Sequence, residues 1–230
     1  MALGRLDDAI DAYRRAQTYG RYQAPILFAL AVALDRAGDA AGAAEAVRRG
    51  TMIDPTAELG SLAVSIWVRP EEEHYTRGLA HEVMGRRARA RFHLRTFVAN
   101  GQRSPWLERA KAHLAALAGP SVLDDIDAPA GAIPLERVAT QQAFLKAAPT
   151  LARCLDGFPT ILARVEVPTQ LGGRATPPRT AGAPAGPRVT LTRGGPEPAG
   201  AVQACLERAA AQVKLPKSVT GRAVLWVTSN

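Results

Sequence analysis

One constant displacement lays Gly4 on Gly38, Ala9 on Ala43, Tyr13 on Val47 and Ala16 on Gly50. A single unit of this size cannot bury its own apolar face, so the copies must stack on one another. Around the second copy a complete helix, turn and helix can be read. Leu27, Leu30, Ala31 and Leu34 share a first helical face, Gly38 marks the turn, and Ala43, Val47 and Gly50 follow on a second helix that closes at Asp54 and Pro55. Ala31 and Ala43 let the two helices approach closely while the larger side chains fill the gaps.

Composition agrees with close-packed helices, because apolar residues make up 47% of the 230-residue chain and aromatics only 5%. Ala, Leu and Val must therefore do most of the packing. A looser third copy lies within residues 72–100, with Gly78, Gly85, Ala90 and Leu94. Gly85 falls later than the repeat requires, which implies an insertion over residues 56–70. There Leu62, Val64 and Ile66 alternate, as a short extended segment would. Ser104 and Pro105 read as the N-cap and first residue of a closing helix through Leu117, with Trp106, Ala110, Leu114 and Leu117 along its apolar face. The first copy holds only a second helix, residues 6–17, so the expectation is a longer precursor that supplies the missing first helix.

With its 34-residue period and its alternation of small and large positions, the first half resembles the tetratricopeptide repeat. That resemblance implies a concave groove lined by the first helix of each repeat, and a protein or peptide partner within it. The matching positions are Phe28, Val32, Asp35 and Arg36, then Glu72, Tyr75, Leu79 and Glu82. The run Ile26 to Leu34 is apolar all round, so Phe28 and Val32 need a cover once the repeat itself is packed. The cover is a neighbouring or closing helix, or a partner segment.

The second half has a different grammar. Residues 119–133 carry Gly119, Pro120, three Asp and Pro129 and read as a linker. Residues 149–158 place Leu151, Cys154, Leu155 and Phe158 on one helical face, and Ile161, Ala163, Val165 and Val167 alternate as a half-buried strand. Gly and Pro fill 13 of the 30 positions from 171 to 200, which predicts a mobile hairpin loop over residues 171–187 ahead of a strand at residues 188–193. A helix with Val202, Cys205, Leu206, Ala209 and Val213 on one face and a last strand at residues 222–228 complete the chain. This order, with a Cys in each helix, is similar to the C-terminal domain of TonB-type energy transducers. The similarity implies a small three-stranded α+β domain and an envelope location. Energy coupling is not implied, since the chain shows neither a transmembrane anchor nor a Pro-rich spacer.

The expected architecture is thus α plus α+β: helical repeats over residues 1–118, a linker over 119–133 and a small domain over 134–230. Both Cys154 and Cys205 occupy apolar faces, and if the two helices cover one face of the sheet their sulfurs can meet in a disulfide. Burial as free thiols would explain the same placement.

Against 21 acidic residues stand 29 basic ones, 25 of them Arg, for a net charge of +8 spread evenly along the chain. The only dense cluster is Arg86, Arg87, Arg89, Arg91 and Arg95. On a helix Arg87, Arg91 and Arg95 form one stripe opposite Ala90, Leu94 and Phe97, which reads as a solvated face; nucleic-acid binding is the alternative. No phosphate-binding loop, nucleophile elbow or metalloprotease motif occurs. Of the histidines, His74 and His81 are seven apart and His93 and His113 fall on later helices, so no pair has the spacing of metal ligands on one helix. Neither Cys154 with Asp156 nor Ser218 with Lys217 has an interpretable partner base. The expectation is a non-catalytic interaction or scaffold protein with a protein partner and without metal, cofactor or small-molecule substrate. The alternative is an enzyme whose site is not local in sequence. Its longest apolar run, Ile26 to Leu34, is too short to span a bilayer. Compartment follows from what precedes Met1: the periplasm or envelope if an upstream signal peptide exists, the cytoplasm otherwise.

Overall fold

The computed structural model describes residues 5–19, 23–55, 72–100, 106–118, 126–127, 134–168, 186–194, 199–215 and 222–229. The predicted insertion at 56–70, the helix start at Ser104 and Pro105, most of the linker and all but the last two residues of the hairpin loop at 171–187 lie outside them. The chain divides into two compact units, Met1–Ala118 and Gly119–Asn230.

The first unit is helical, with α1 (Leu6–Ala16), α2 (Gln23–Arg36), α3 (Ala40–Ile53), α4 (Glu73–Val83), α5 (Arg87–Asn100) and α6 (Leu107–Ala116). The pairs α2/α3 and α4/α5 are joined by the same turn. Gly38 and Gly85 both take positive φ, 89° and 69°, a conformation that costs little only for a residue without Cβ. In the first turn the Gly38 N–H donates to Asp35 O and the Asp39 N–H to Leu34 O; in the second, Gly85 donates to Glu82 O and Arg86 to His81 O. These paired bonds satisfy the last carbonyls of α2 and α4 and reverse the chain. Asp39 then caps α3, accepting from the Gly42 N–H at 2.8 Å. Close approach within the second pair depends on Gly78, where an added Cβ would lie 2.7 Å from Leu94 Cγ. Phe28, Val32, Val47, Tyr75, Leu79, Leu94, Phe97 and Ala110 meet in one apolar core.

The second unit packs helices on an antiparallel sheet. Its elements are β1 (Ile126–Asp127), α7 (Pro134–Arg153), β2 (Ile161–Pro168), β3 (Arg188–Arg193), α8 (Ala199–Ala210) and β4 (Arg222–Thr228). The strand order is β1-β4-β2-β3, and Ala163 pairs with Val227 on one side and Leu191 on the other. Three full strands thus gain a short fourth, drawn from the stretch expected to be linker. On β2, Ile161, Ala163, Val165 and Val167 all point into the core with Leu151, Leu206 and Leu225.

One expected boundary is wrong. The helix predicted from Pro149 begins well upstream, at Pro134, and ends at Arg153, leaving Pro149 inside it. Its upstream half is rich in Ala, Gln and Thr, so the apolar stripe is narrow, yet Phe144 and Ala148 are buried along it. Cys154 consequently sits in the turn after α7 rather than within a helix.

Cys154 and Cys205 are joined by a disulfide, their Cα atoms 5.7 Å apart at a sequence separation of 51. Closing a loop of that length removes freedom from the unfolded chain worth roughly 4 kcal/mol in the chain-entropy model. Reduction is therefore expected to speed amide exchange in β2 and β4 by up to about a thousandfold while leaving α2 and α3 unchanged. Exchange followed by mass spectrometry with and without reductant reads this directly, and unchanged protection in the sheet would refute it.

Candidate functional site

The residues expected to line a groove come together, but as an interior. Phe28, Val32, Asp35, Tyr75 and Leu79 are at most 4% exposed, the Arg36 side chain is 1% exposed, and only Glu82 keeps a partly open edge. The partner-binding surface expected at Phe28, Val32, Asp35, Arg36, Tyr75, Leu79 and Glu82 is therefore closed within the unit. Phe28 packs against α3, where its ring lies 3.1 Å from the position of a Cβ on Gly50. The cover over the polar members is α6 with the residue before it, which brings Trp106, Arg109 and His113 onto them.

At the centre is Asp35. Tyr75 donates its hydroxyl to Oδ2, Arg109 donates from Nη2 to Oδ1 at 2.8 Å, and His113 Nε2 lies 3.1 Å from the same oxygen. On its other side His113 Nδ1 stands 2.8 Å from Glu82 Oε2. Burial opposes charge on Asp35, but the hydrogen bonds from His113, Arg109 and Tyr75 outweigh it and hold the carboxyl well below its usual range. Burial also works against the cation at His113, yet the Asp35 and Glu82 carboxylates raise its pKa to about 9. Burial and the neighbouring Asp35 keep Tyr75 protonated. Beside this network, Arg36 donates to Glu72 at 3.1 Å and stacks over Trp106 with its guanidinium carbon 4.3 Å from the ring centroid. Every strong partner of Asp35 is a neighbouring side chain, so the arrangement binds helices together and presents no nucleophile with a free base.

A second polar group was not foreseen. His74 and His93 approach to 2.9 Å between their Nδ1 atoms, and the His81 ring stacks on His93 at 5.5 Å. Burial first, then Arg89, Arg86 and Arg77, push His81 down to about 3. His93 is lowered for the same reason and by its two histidine neighbours. Among the described residues no group of His, Cys, Asp and Glu is arranged to hold a metal ion. His74 and His81, two turns apart on one face, were the available signal; their meeting with His93 required the packing of α4 on α5.

The arginine stripe is only partly solvated, since its middle member is covered. Arg91 is 6% exposed, Arg86 donates to Pro55 O at 3.0 Å, and Arg87 donates to Leu117 O at 3.1 Å. Arg91 is the buried member of the cluster, and Arg86, Arg87, Arg89 and Arg95 keep partly exposed side chains. Cys154 is consumed by the disulfide, and Ser218 and Lys217 lie outside the described residues.

In the second unit a half-open groove of about 470 Å³ runs between α7 and the residues just after α8. Ala143, Ala147 and Val213 form its floor, and Gln142, Lys146 and Lys214 stand at its rim. Val138 and Leu145, 50% and 44% exposed, lie two turns apart on an adjoining stripe of α7. Sequence reasoning missed this groove because its walls come from segments far apart along the chain; the i, i+4 alanines Ala139, Ala143 and Ala147 were the only trace.

Comparison with known proteins finds no matching family, no matching curated relative and no matching solved structure.

The two histidine groups act on opposite sides of neutrality. His113, raised above the unfolded value of 6.5, stabilises the fold fully below that pH and loses its contribution as pH rises through about 9. His81, depressed to about 3, stays neutral in the fold while the unfolded chain takes up a proton, so stability falls as pH drops from 6.5 toward 3. Stability of the first unit should therefore peak near pH 6.5. Urea unfolding across pH 4 to 10 should show both limbs, and His113→Gln should flatten the alkaline one, worth roughly 3 kcal/mol. An alkaline limb of the same size in that variant would refute the assignment.

Proposed function

We propose that this chain is a non-catalytic protein-interaction component of a bacterial cell envelope, its first unit a tetratricopeptide-type array and its second a TonB-like small domain. The twin glycine turns at Gly38 and Gly85 support the repeat reading, and the sheet with its two flanking helices supports the second. A disulfide persists where thiols are not kept reduced, which favours a periplasmic or surface compartment. No described helix is long and apolar enough to cross a membrane.

The partner is received in the second unit. The observation that carries this reading is the α7/α8 groove, whose floor of small side chains admits close approach of another backbone and whose rim bears Lys146 and Lys214. A half-open trough of this form suits the flank of a peptide segment better than an enclosed small molecule. The exposed Val138 and Leu145 extend the surface along α7. The preferred partner segment is acidic with small apolar residues between its carboxylates.

A displayed library of random peptides panned on the full chain tests this. Enriched sequences should be acidic, and Lys146→Glu with Lys214→Glu should weaken them at least about tenfold, since like charges across an interface repel. Enrichment without acidic bias, or binding that survives the double reversal, would remove the groove as the partner site.

A further inference from the structure

The groove of the second unit and its disulfide share the same two walls. Thr150, the last groove residue on α7, lies one turn before Cys154, and Ala209, the first on α8, lies one turn after Cys205. From the bridge both walls lead away, α7 back toward Ala139 and α8 onward to Lys214, so the bond closes one end of the trough. Across the hollow the walls have little hold on each other. Ala143, Ala147 and Val213 face the groove, whereas Phe144 and Leu151 hold α7 to the sheet core and Val202 and Leu206 hold α8. Small side chains separated by a gap attract weakly, so the spacing of the walls depends on the covalent tie. The two sulfurs belong to residues of unequal cover: Cys154 is 8% exposed, and Cys205 is only partly buried.

We propose that the disulfide between Cys154 and Cys205 is a redox gate on this groove, which takes its partner segment while the bond is oxidised and releases it once the bond is reduced; the inference rests on the groove being the partner site. The reductant is of the dithiol class. Its thiolate attacks Cys205 Sγ, the more open of the two sulfurs, the S–S bond breaks, and Cys154 leaves as a thiolate that takes up a proton. The second thiolate of the reductant then attacks the mixed disulfide and displaces Cys205, which is protonated in turn, while the reductant departs as its own disulfide. Two electrons and two protons have passed to the chain. With the tie cut, the groove loses the fixed width that spares a bound peptide the cost of ordering its site.

The test uses the full chain, oxidised and after dithiothreitol, with a fluorescent peptide of alternating Glu and Ala as the probe and an amine-reactive cross-linker chosen to join Lys146 to Lys214 as a second readout. Reduction should weaken peptide binding at least about tenfold and lower the yield of the Lys146 to Lys214 cross-link at least about fivefold. Both should return on reoxidation, while the far-ultraviolet circular dichroism keeps its helix and strand signal throughout. Cys154→Ala with Cys205→Ala should behave as the reduced parent and ignore dithiothreitol; should that variant not fold, the reversible cycle of the parent decides. Peptide binding that is equal in the two states, or a cross-link yield that is equal in the two states, overturns the gate. So does a dichroism signal that collapses on reduction, because the bond is then a staple for the whole unit. A peptide that binds neither state removes the groove as the partner site, and the cross-link yield alone then decides whether the bond sets its width.

Discussion

A carboxylate in the last turn of a helix faces the negative end of the helix dipole, and burying it there removes the water that would otherwise solvate it. Asp35 has both disadvantages, at the end of α2 and 1% exposed. The fold can hold it only by aiming donors at it from other helices. Tyr75 does so from α4, and Arg109 and His113 from α6, so one charge fixes the positions of two further elements. The placement of α6 rests on these charges together with apolar contacts, Ala110 being buried and Trp106 and Leu114 packing against the core. The helical unit thus closes on an electrostatic requirement as well as an apolar one.

The second unit meets a different constraint. Small sheets bury too little area to be stable unaided, and β3 contributes only half-buried side chains. α7 and α8 cover the sheet, and the disulfide ties the end of one to the middle of the other. Its stability is distributed between a thin core and a covalent link, where the first unit relies on packing and paired charge.

How much of this could be read beforehand follows from range. The three longer strands, the glycine turns and the helix of Cys205 were legible because period-2 and period-3.6 patterns and left-handed glycines are local signals. The start of α7 was not, since an Ala- and Gln-rich helix with a narrow stripe resembles a loop until Phe144 and Ala148 find the sheet. At the expected groove the residues were right and their exposure wrong. A sequence shows that Asp35, Tyr75 and Glu82 share a side, but whether that side stays open depends on where a later helix, two elements further along the chain, comes to rest. Arg109 and His113, at i and i+4 on that helix, were the local trace of its destination. In the arginine stripe charge was read as a sign of solvent, which holds in part for Arg87 and Arg95 and fails at Arg91, where the helix is covered.

The link between Cys154 and Cys205 turns the intervening chain into a covalent ring that contains all of β2 and β3 and the first half of α8. A polypeptide cut once inside that ring is still one molecule. Its two pieces keep the mass of the whole and run together until a reductant separates them. New termini could therefore be introduced between the cysteines without releasing either half of the sheet, which makes this stretch a natural place to open the backbone for insertion or labelling.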